Sequence, residues 1–364
     1  MAIKYLSKTK PARVKGTALL RLDFNTKDDW RMKAVLPTLR SLLKTSRKIV
    51  VISHRGRPNG FSKAFSLRKD AAMLGRLIGK KVVFLPHFRF KEIRKIVEHS
   101  PRRSLFLLEN LRFMKGEETN DKAFARDLAS LGDFYVNDAF AVSHRADASV
   151  AAITKFLPSY AGFELEREIA SLSRAMIKPK RPLVLILGGA KAADKLGVIT
   201  FFRKKADWFV LGGGPANTIL WLRGANIGKS VKDDDPKNMK TLKQIAGWNN
   251  IVLPVDPVWH DDMIWDFGPK TLALFSKKIA AARTILWSGP LGLIEKKAFA
   301  KGSVLLAKAI AKNRHAFSIA GGGETVMFLK KYRLDAKFGF ISTGGGAMVD
   351  FLAGKKLPGI EALK

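Results

Sequence analysis

Short apolar runs recur along the chain, each closed by a polar or glycine-rich turn and followed by a helical-looking stretch. In the first half they are TALLRLDFN, KIVVISHRG, KVVFLP, SLFLLENLRF and DFYVNDAFA. After residue 180 they resume as PLVLILGGA, DWFVLGGG, NIVLPVD, RTILWSGP, AFSIAGGG and FGFISTGGG. Continuous apolar runs, rather than strict alternation, suit strands buried on both faces of a parallel sheet, and the intervening helices make the pattern α/β. Eleven such strands are many for one sheet. The expectation is two doubly wound parallel-sheet domains, Rossmann-like in layout.

The junction lies in AGFELEREIASLSRAMIKPKRPLV, whose middle has amphipathic helical spacing and whose KPKRP breaks the helix before the next strand. The expected boundaries are an N-terminal domain at 1–160, a connecting hinge helix at 161–178 and a C-terminal domain at 179–349. A tail of about 350–364 is expected to pack back on the first domain. A connecting helix suggests two lobes that move as rigid bodies. Short-period repeats and low-complexity segments are absent from the sequence.

Composition narrows the function classes. A chain of 364 residues with 47% apolar content can build two cores. The absence of cysteine excludes disulfides, thiolate metal sites and cysteine nucleophiles. The sequence has neither the apolar stretch of a signal peptide at its start nor a run approaching the ~20 apolar residues of a membrane span. A cytoplasmic protein without membrane association is expected. The formal net charge of +35 is spread along the chain rather than gathered in a tail. It fits non-specific polyanion binding, a cleft for phosphorylated small molecules, or a general bias toward lysine and arginine.

Ligands of open parallel sheets sit beyond the carboxyl ends of the strands. In the first half those positions hold Arg21, Asp23 and Asn25, then His54 and Arg57, then Asn110 and Arg112, then His144 and Arg145. Converging guanidinium groups suit phosphate and carboxylate because their planar donors bind bidentately. Any one of these arginines could be a solvated surface charge, and the asparagines and aspartates could be helix caps. Recurrence at successive strand ends favours a site. The histidines lack metal-ligand spacing.

In the second half, three glycine triplets, Gly212–Gly214, Gly321–Gly323 and Gly344–Gly346, each follow an apolar run, and SGPLG stands at 288–292. Such triplets present backbone N–H groups to an anion at a helix start, although each could also be a tight turn. Together they point to a nucleotide, without a P-loop or G-x-G-x-x-G pattern. ILGGAKAADKLGVI places Lys191 and Lys195 four residues apart. A helix starting near Ala190 would carry both lysines on one face of its first turn, where the helix dipole disfavours cations. A nucleotide's terminal phosphate would offset both charges.

RLDFN, RMKAVLPTLR, SHRGRPNG, LLENLRFMKGEETND, FYVNDAFAVSHRADAS, ILGGAKAADKLGVI, GGGPANTIL, LPVD, DFGPKT, GPLGLIE, GGGET and ISTGGGAM occur in this order. In them the chain resembles the phosphoglycerate kinase family over nearly its whole length. The resemblance implies phosphoryl transfer between 1,3-bisphosphoglycerate and MgADP, giving 3-phosphoglycerate and MgATP, by a monomer. It implies that Asp23, Asn25, Arg31, His54, Arg57, Arg112 and Arg145 bind phosphoglycerate, with Arg21 and His144 in the surrounding basic patch. It implies a nucleotide set of Lys191, Lys195, Gly213, Pro290, Glu295, Gly321, Gly322, Gly323, Glu324 and Thr325. Glu295 would bind the ribose hydroxyls, Glu324 would serve Mg²⁺, and Arg31, Lys191 and Gly345 would flank the transferring phosphoryl.

Four features depart from the family's pattern. Glu324 stands where aspartate is usual, Asp147 where a histidine is common, and Ser288 where asparagine is usual. The loop NTKDDWRM is shorter than usual. They leave open a nucleotide-binding relative with weak or no turnover. The net charge leaves open a secondary nucleic-acid-binding role.

Overall fold

The strands form where the sequence is apolar on both faces. LVLIL at Leu183–Leu187 and KIVVI at Lys48–Ile52 are buried at every position, which only a sheet covered on both sides permits. The computed structural model describes residues 2–26 and 28–364. Lys27, within the short loop NTKDDWRM, lies outside the described residues.

By contacts the chain divides into two units, Met1–Ile169 with Lys356–Lys364, and Ala170–Lys355. The division falls inside the helix Phe163–Ile177, which occupies the span of the connecting helix. The second unit runs on to Lys355 because the helix Gly345–Leu352 buries Met348 and Leu352 beside Leu185, Val198 and Trp287.

The first unit holds β1 (Thr17–Arg21), β2 (Lys48–Ile52), β3 (Val82–Leu85), β4 (Leu105–Leu108), β5 (Phe134–Asn137) and β6 (Ser159–Ala161). They form one parallel sheet in the order β3-β4-β2-β1-β5-β6. Its core gathers Leu20, Val51, Leu107 and Val136 from the strands with Leu39, Leu42 and Leu74 from the helices. The last nine residues belong here as well. The Gly359 amide donates to the Ser143 carbonyl at 2.8 Å, and Leu357, Ile360 and Leu363 are buried.

The second unit holds β7 (Leu183–Leu187), β8 (Trp208–Leu211), β9 (Ile251–Val252), β10 (Pro257–His260), β11 (Met263–Phe267), β12 (Thr284–Ser288), β13 (Phe317–Gly321) and β14 (Phe340–Ile341). Six of them form a parallel sheet in the order β14-β13-β12-β7-β8-β9, while β10 and β11 form a separate antiparallel hairpin. All eleven apolar runs are strands. The sequence reading omitted β6, which is three residues long, and the hairpin, whose strands are only partly buried.

Candidate functional site

Strands β4, β2, β1 and β5 are neighbours, so the loops leaving their carboxyl ends converge along one edge of the first sheet. Arg31 ion-pairs with Asp23, and His54 Nδ1 stands 3.8 Å from the same carboxylate. The Asn25 amide donates to Asp23 at 3.0 Å, and the Gly56 amide donates to Asn25 Oδ1 at 2.8 Å. Arg112 donates to the Gly56 carbonyl at 2.6 Å and lies 3.9 Å from Asp147. Asn110 ties the loops together: its side chain accepts from the Arg55 and Arg112 amides and donates to the carbonyls of Arg55 and Phe65. Arg57 is exposed just beyond Gly56, while His144 and Arg145 are half-buried.

Charge has been arranged around this edge. Burial, reinforced by Arg21, holds the His54 imidazole well below its usual value, so it is neutral. Burial alone would raise Asp23, but Arg31, the Asn25 amide and Arg21 outweigh it and hold the carboxyl below the ordinary range. Burial and the nearby Arg145 lower Arg112. Asp147 goes the other way: burial raises it in spite of Arg21, Arg112 and Arg145. Buried N–H groups on Arg31 and Arg112 make no hydrogen bond to protein. Buried donors of that kind call for an acceptor, and an oxyanion supplies several.

Arg21 needs a correction. It is fully buried rather than facing a ligand. It donates to Ser149 Oγ at 2.9 Å and to the Leu22 carbonyl, and it approaches His54 at 3.1 Å and Glu117 at 3.9 Å. A strand-end residue can point inward as readily as outward, and sequence periodicity does not tell which. Ser149 and Glu117, which hold it, carried no sequence signal because they meet Arg21 only in the fold.

In the second unit the glycine triplets open helices. Helices begin at Gly213, Gly323 and Gly345, and a fourth begins at Ala193. That last start corrects the expected start near Ala190. Lys191 precedes the helix and is exposed, while Lys195 sits in its first turn, half-buried. Their spacing does not place them on one helical face.

A cavity of about 830 Å³ is lined by Lys191, Lys195, Gly322, Gly323, Glu324, Thr325 and Gly345, together with Ser288. Lys195 Nζ donates to Ser288 Oγ at 3.1 Å. Burial lowers Lys195 against the opposing effects of Asp194 and Glu324. A second cavity of about 330 Å³ is lined by Gly213, Pro290, Glu295, Trp265, Asp266 and again Glu324. Gly189, Ala190 and Glu324 border both cavities, so the two are adjacent. Gly321 lines neither. It ends β13, and a Cβ there would collide with Met348 Sδ.

Gly323 and Gly345 differ from the packing glycines. A Cβ at either would meet nothing within 4 Å. The fold does not require glycine at these positions, but a ligand lying against the backbone would. Among the described residues no three carboxylates or histidines cluster as a metal site. Mg²⁺ fits this arrangement, because it usually keeps several waters and takes one or two carboxylates plus substrate phosphates. Glu324, Asp194 and Asp350 are the carboxylates that line the larger cavity.

Side-chain cations on one sheet edge and helix N-termini with a lysine pair on another define an α/β phosphotransferase that uses a nucleotide. The family model described as phosphoglycerate kinase matches residues 12–355, and the chain belongs to that family, whose phosphoryl acceptor is a carboxyl group. A phosphoglycerate kinase from Dictyoglomus turgidum is 39% identical with 100% of both chains covered. One from Geotalea uraniireducens is 40% identical, covering 100% of this chain and 99% of that protein. The solved phosphoglycerate kinase of Coxiella burnetii matches with a TM-score of 0.85 and 33% identity over 100% of this chain and 99% of its own. That of Pyrococcus horikoshii matches at 0.87 and 30% over 99% and 98%.

Proposed function

We propose that the chain transfers a phosphoryl group reversibly between 1,3-bisphosphoglycerate and MgADP, with the following division of work. Arg31, Arg57, Arg112 and Arg145, with His54 and Asn25, receive phosphoglycerate. Asp23 and the buried Arg21 position Arg31 and His54. Lys191, Lys195 and the amides at Gly322–Thr325 receive the nucleotide's phosphates, while Gly213, Pro290 and Glu295 receive its nucleoside. Mg²⁺, held through Glu324, would neutralise charge on those phosphates when bound.

The substrate carboxylate is itself the nucleophile, so no general base is needed. Catalysis then consists of positioning and of cancelling charge on the transferring group. Arg31, Lys191 and the Gly345 amide are the groups assigned to that charge. The acceptor and donor sets belong to different units, and the helix Phe163–Ile177, which crosses the division, is the hinge we assign.

The observation that carries this reading is the pair Gly323 and Gly345, bare beside Lys191 and Lys195 in one cavity with no packing reason to be glycine. No described helix is long and apolar enough to cross a membrane. A monomeric cytoplasmic enzyme is the form we assign to it. A coupled assay of ATP formation from 1,3-bisphosphoglycerate and ADP tests the proposal. Tight ADP binding without turnover would instead favour the weakly active relative, with Asp147 neutralising the arginine wall.

A further inference from the structure

The amino edge of the first sheet, opposite the substrate residues, carries a concentration of charge that the phosphoryl-transfer reading does not use. The segments entering β1, β2, β3 and β4 are residues 8–16, 44–48, 79–81 and 100–104. They contain eleven lysines and arginines and no aspartate or glutamate. Because the sheet order is β3-β4-β2-β1, these segments lie side by side. At the usual strand spacing they make a row ~15 Å long.

One of the eleven is already occupied. Lys48 is buried and donates to the Val97 and Glu98 carbonyls at 2.5 and 2.8 Å, at the end of the helix Phe90–His99. The other ten, Lys8, Lys10, Arg13, Lys15, Lys44, Arg47, Lys80, Lys81, Arg102 and Arg103, are exposed. Among the described residues none of the ten is ion-paired to a carboxylate within 4.0 Å; the nearby anionic groups are helix ends, Glu98 beside Lys48, and Asp133, which accepts from the Thr17 amide. Three helices, Leu36–Thr45, Arg68–Ile78 and Phe90–His99, finish at this edge. Their C-terminal dipoles amount to about half a negative charge each, far short of neutralising the row.

The row also has a hollow. A cavity of about 340 Å³ is lined by Arg40, Leu43, Lys44, Ile78, Lys80 and Arg103, four cations and two aliphatic side chains. No aromatic side chain lines it, so it offers nothing for a base to stack on. Unpaired cations around a hollow without aromatics recognise a backbone of repeated phosphates rather than nucleobases.

We propose that the amino edge of the first sheet binds a linear phosphate chain, the shared chemistry of a single-stranded nucleic acid backbone and of inorganic polyphosphate. The site lies wholly within the first unit and does not depend on the phosphoryl-transfer reading. It assigns to one surface a binding that the overall net charge would otherwise spread over the whole molecule.

The test uses the full-length protein and fluorescence anisotropy of a labelled oligothymidylate, with inorganic polyphosphate as competitor, across a salt series. The triple variant Lys44→Gln/Lys80→Gln/Arg103→Gln is expected to lose roughly tenfold or more in affinity. Its salt slope is expected to flatten by about 2, since each lost phosphate contact on a single strand contributes about 0.7. The charge-matched control Lys237→Gln/Lys240→Gln/Lys243→Gln, on an exposed helix of the second unit, is expected to keep wild-type affinity and slope. The double variant Lys80→Gln/Lys81→Gln, on an exposed turn, is expected to show about two-thirds of the slope change.

Thermal unfolding and ATP formation unchanged in the triple variant show that fold and catalysis are intact. Equal losses for both probes support a phosphate-chain site, and a loss with only one probe identifies which source it serves. Equal losses in the triple variant and the control would overturn the proposal in favour of general electrostatic attraction. Binding to anionic lipid vesicles with no binding of either phosphate chain would overturn it as well.

Discussion

In the first unit the contacts proposed for the ligand are side chains: guanidinium and imidazole groups delivered by four strand ends and braced by Asp23, Asn110, Ser149 and Glu117. In the second they are mostly main chain, with helix starts at Ala193, Gly213, Gly323 and Gly345 and two lysines added. The two constructions respond differently to substitution. A side-chain site loses one contact per residue changed and can be retuned by a single neighbouring charge. A backbone site changes only when a side chain fills space that glycine left open.

The sharpest test of this contrast takes one cation from each side. Arg31→Ala and Lys191→Ala should each lower kcat by about 10²–10³, the range for a donor aimed at developing charge. Arg31→Lys should recover little, because an ammonium cannot reproduce a bidentate guanidinium. Steady-state kinetics with both substrates varied would check this, and a loss confined to KM would break the assignment of both residues to the transferring group.

Gly345→Val comes next. A side chain there points into open space, so thermal stability should hold while kcat/KM for the nucleotide falls about tenfold, a loss of about 1.4 kcal/mol. The phosphoglycerate KM should not move. Gly214 supplies the contrast: a Cβ would overlap the Ala190 carbonyl, so Gly214→Ala should destabilise by about 2 kcal/mol. Calorimetry and nucleotide titration separate the two outcomes.

A smaller effect is expected from Asp147→Asn. The change removes a buried carboxyl that faces Arg112 while keeping its shape. The phosphoglycerate KM should fall about threefold, or about 0.6 kcal/mol, with kcat nearly constant. Initial-rate measurements at low salt would show it, and a raised KM would mean that Asp147 holds the wall in place rather than weakening it.

A separate prediction concerns stability. Burial, with Glu168 and Asp138 nearby, pushes Glu164 up to about 8 from an ordinary 4.5. Between those values the folded chain holds a proton that the unfolded chain has released, so stability falls as pH rises through that window. Glu164→Gln should remove that slope, raising the unfolding midpoint at pH 9 and leaving it nearly unchanged at pH 4. Midpoints measured across pH would decide the matter.

Much of this was legible in the sequence because parallel strands buried on both faces need uninterrupted apolar runs. All eleven runs became strands, and the cations after them share one edge. The hairpin β10–β11 was less visible, because Val258 and Trp259 sit on a partly exposed surface with little apolar signal. Its turn did leave a trace. Asp261 and Asp262 both have positive φ, 50° and 58°, as a tight two-residue connection demands. The direction of Arg21 was hidden for a different reason: its partners Glu117 and Ser149 lie far along the chain and come together only when the sheet is complete. Lys191 looked helical from its spacing alone, but the helix starts two residues later, at Ala193.

The order in which the chain is made bears on how this molecule reaches its final state. Strand β1 emerges early, yet the unit it belongs to is finished by residues 356–364, whose Gly359 bonds to Ser143 and to Asn137. The intervening unit, Ala170–Lys355, has all of its own residues first. A chain cut before Lys356 would therefore hold every residue of the second unit while the first lacked the segment that bonds to Ser143 and Asn137.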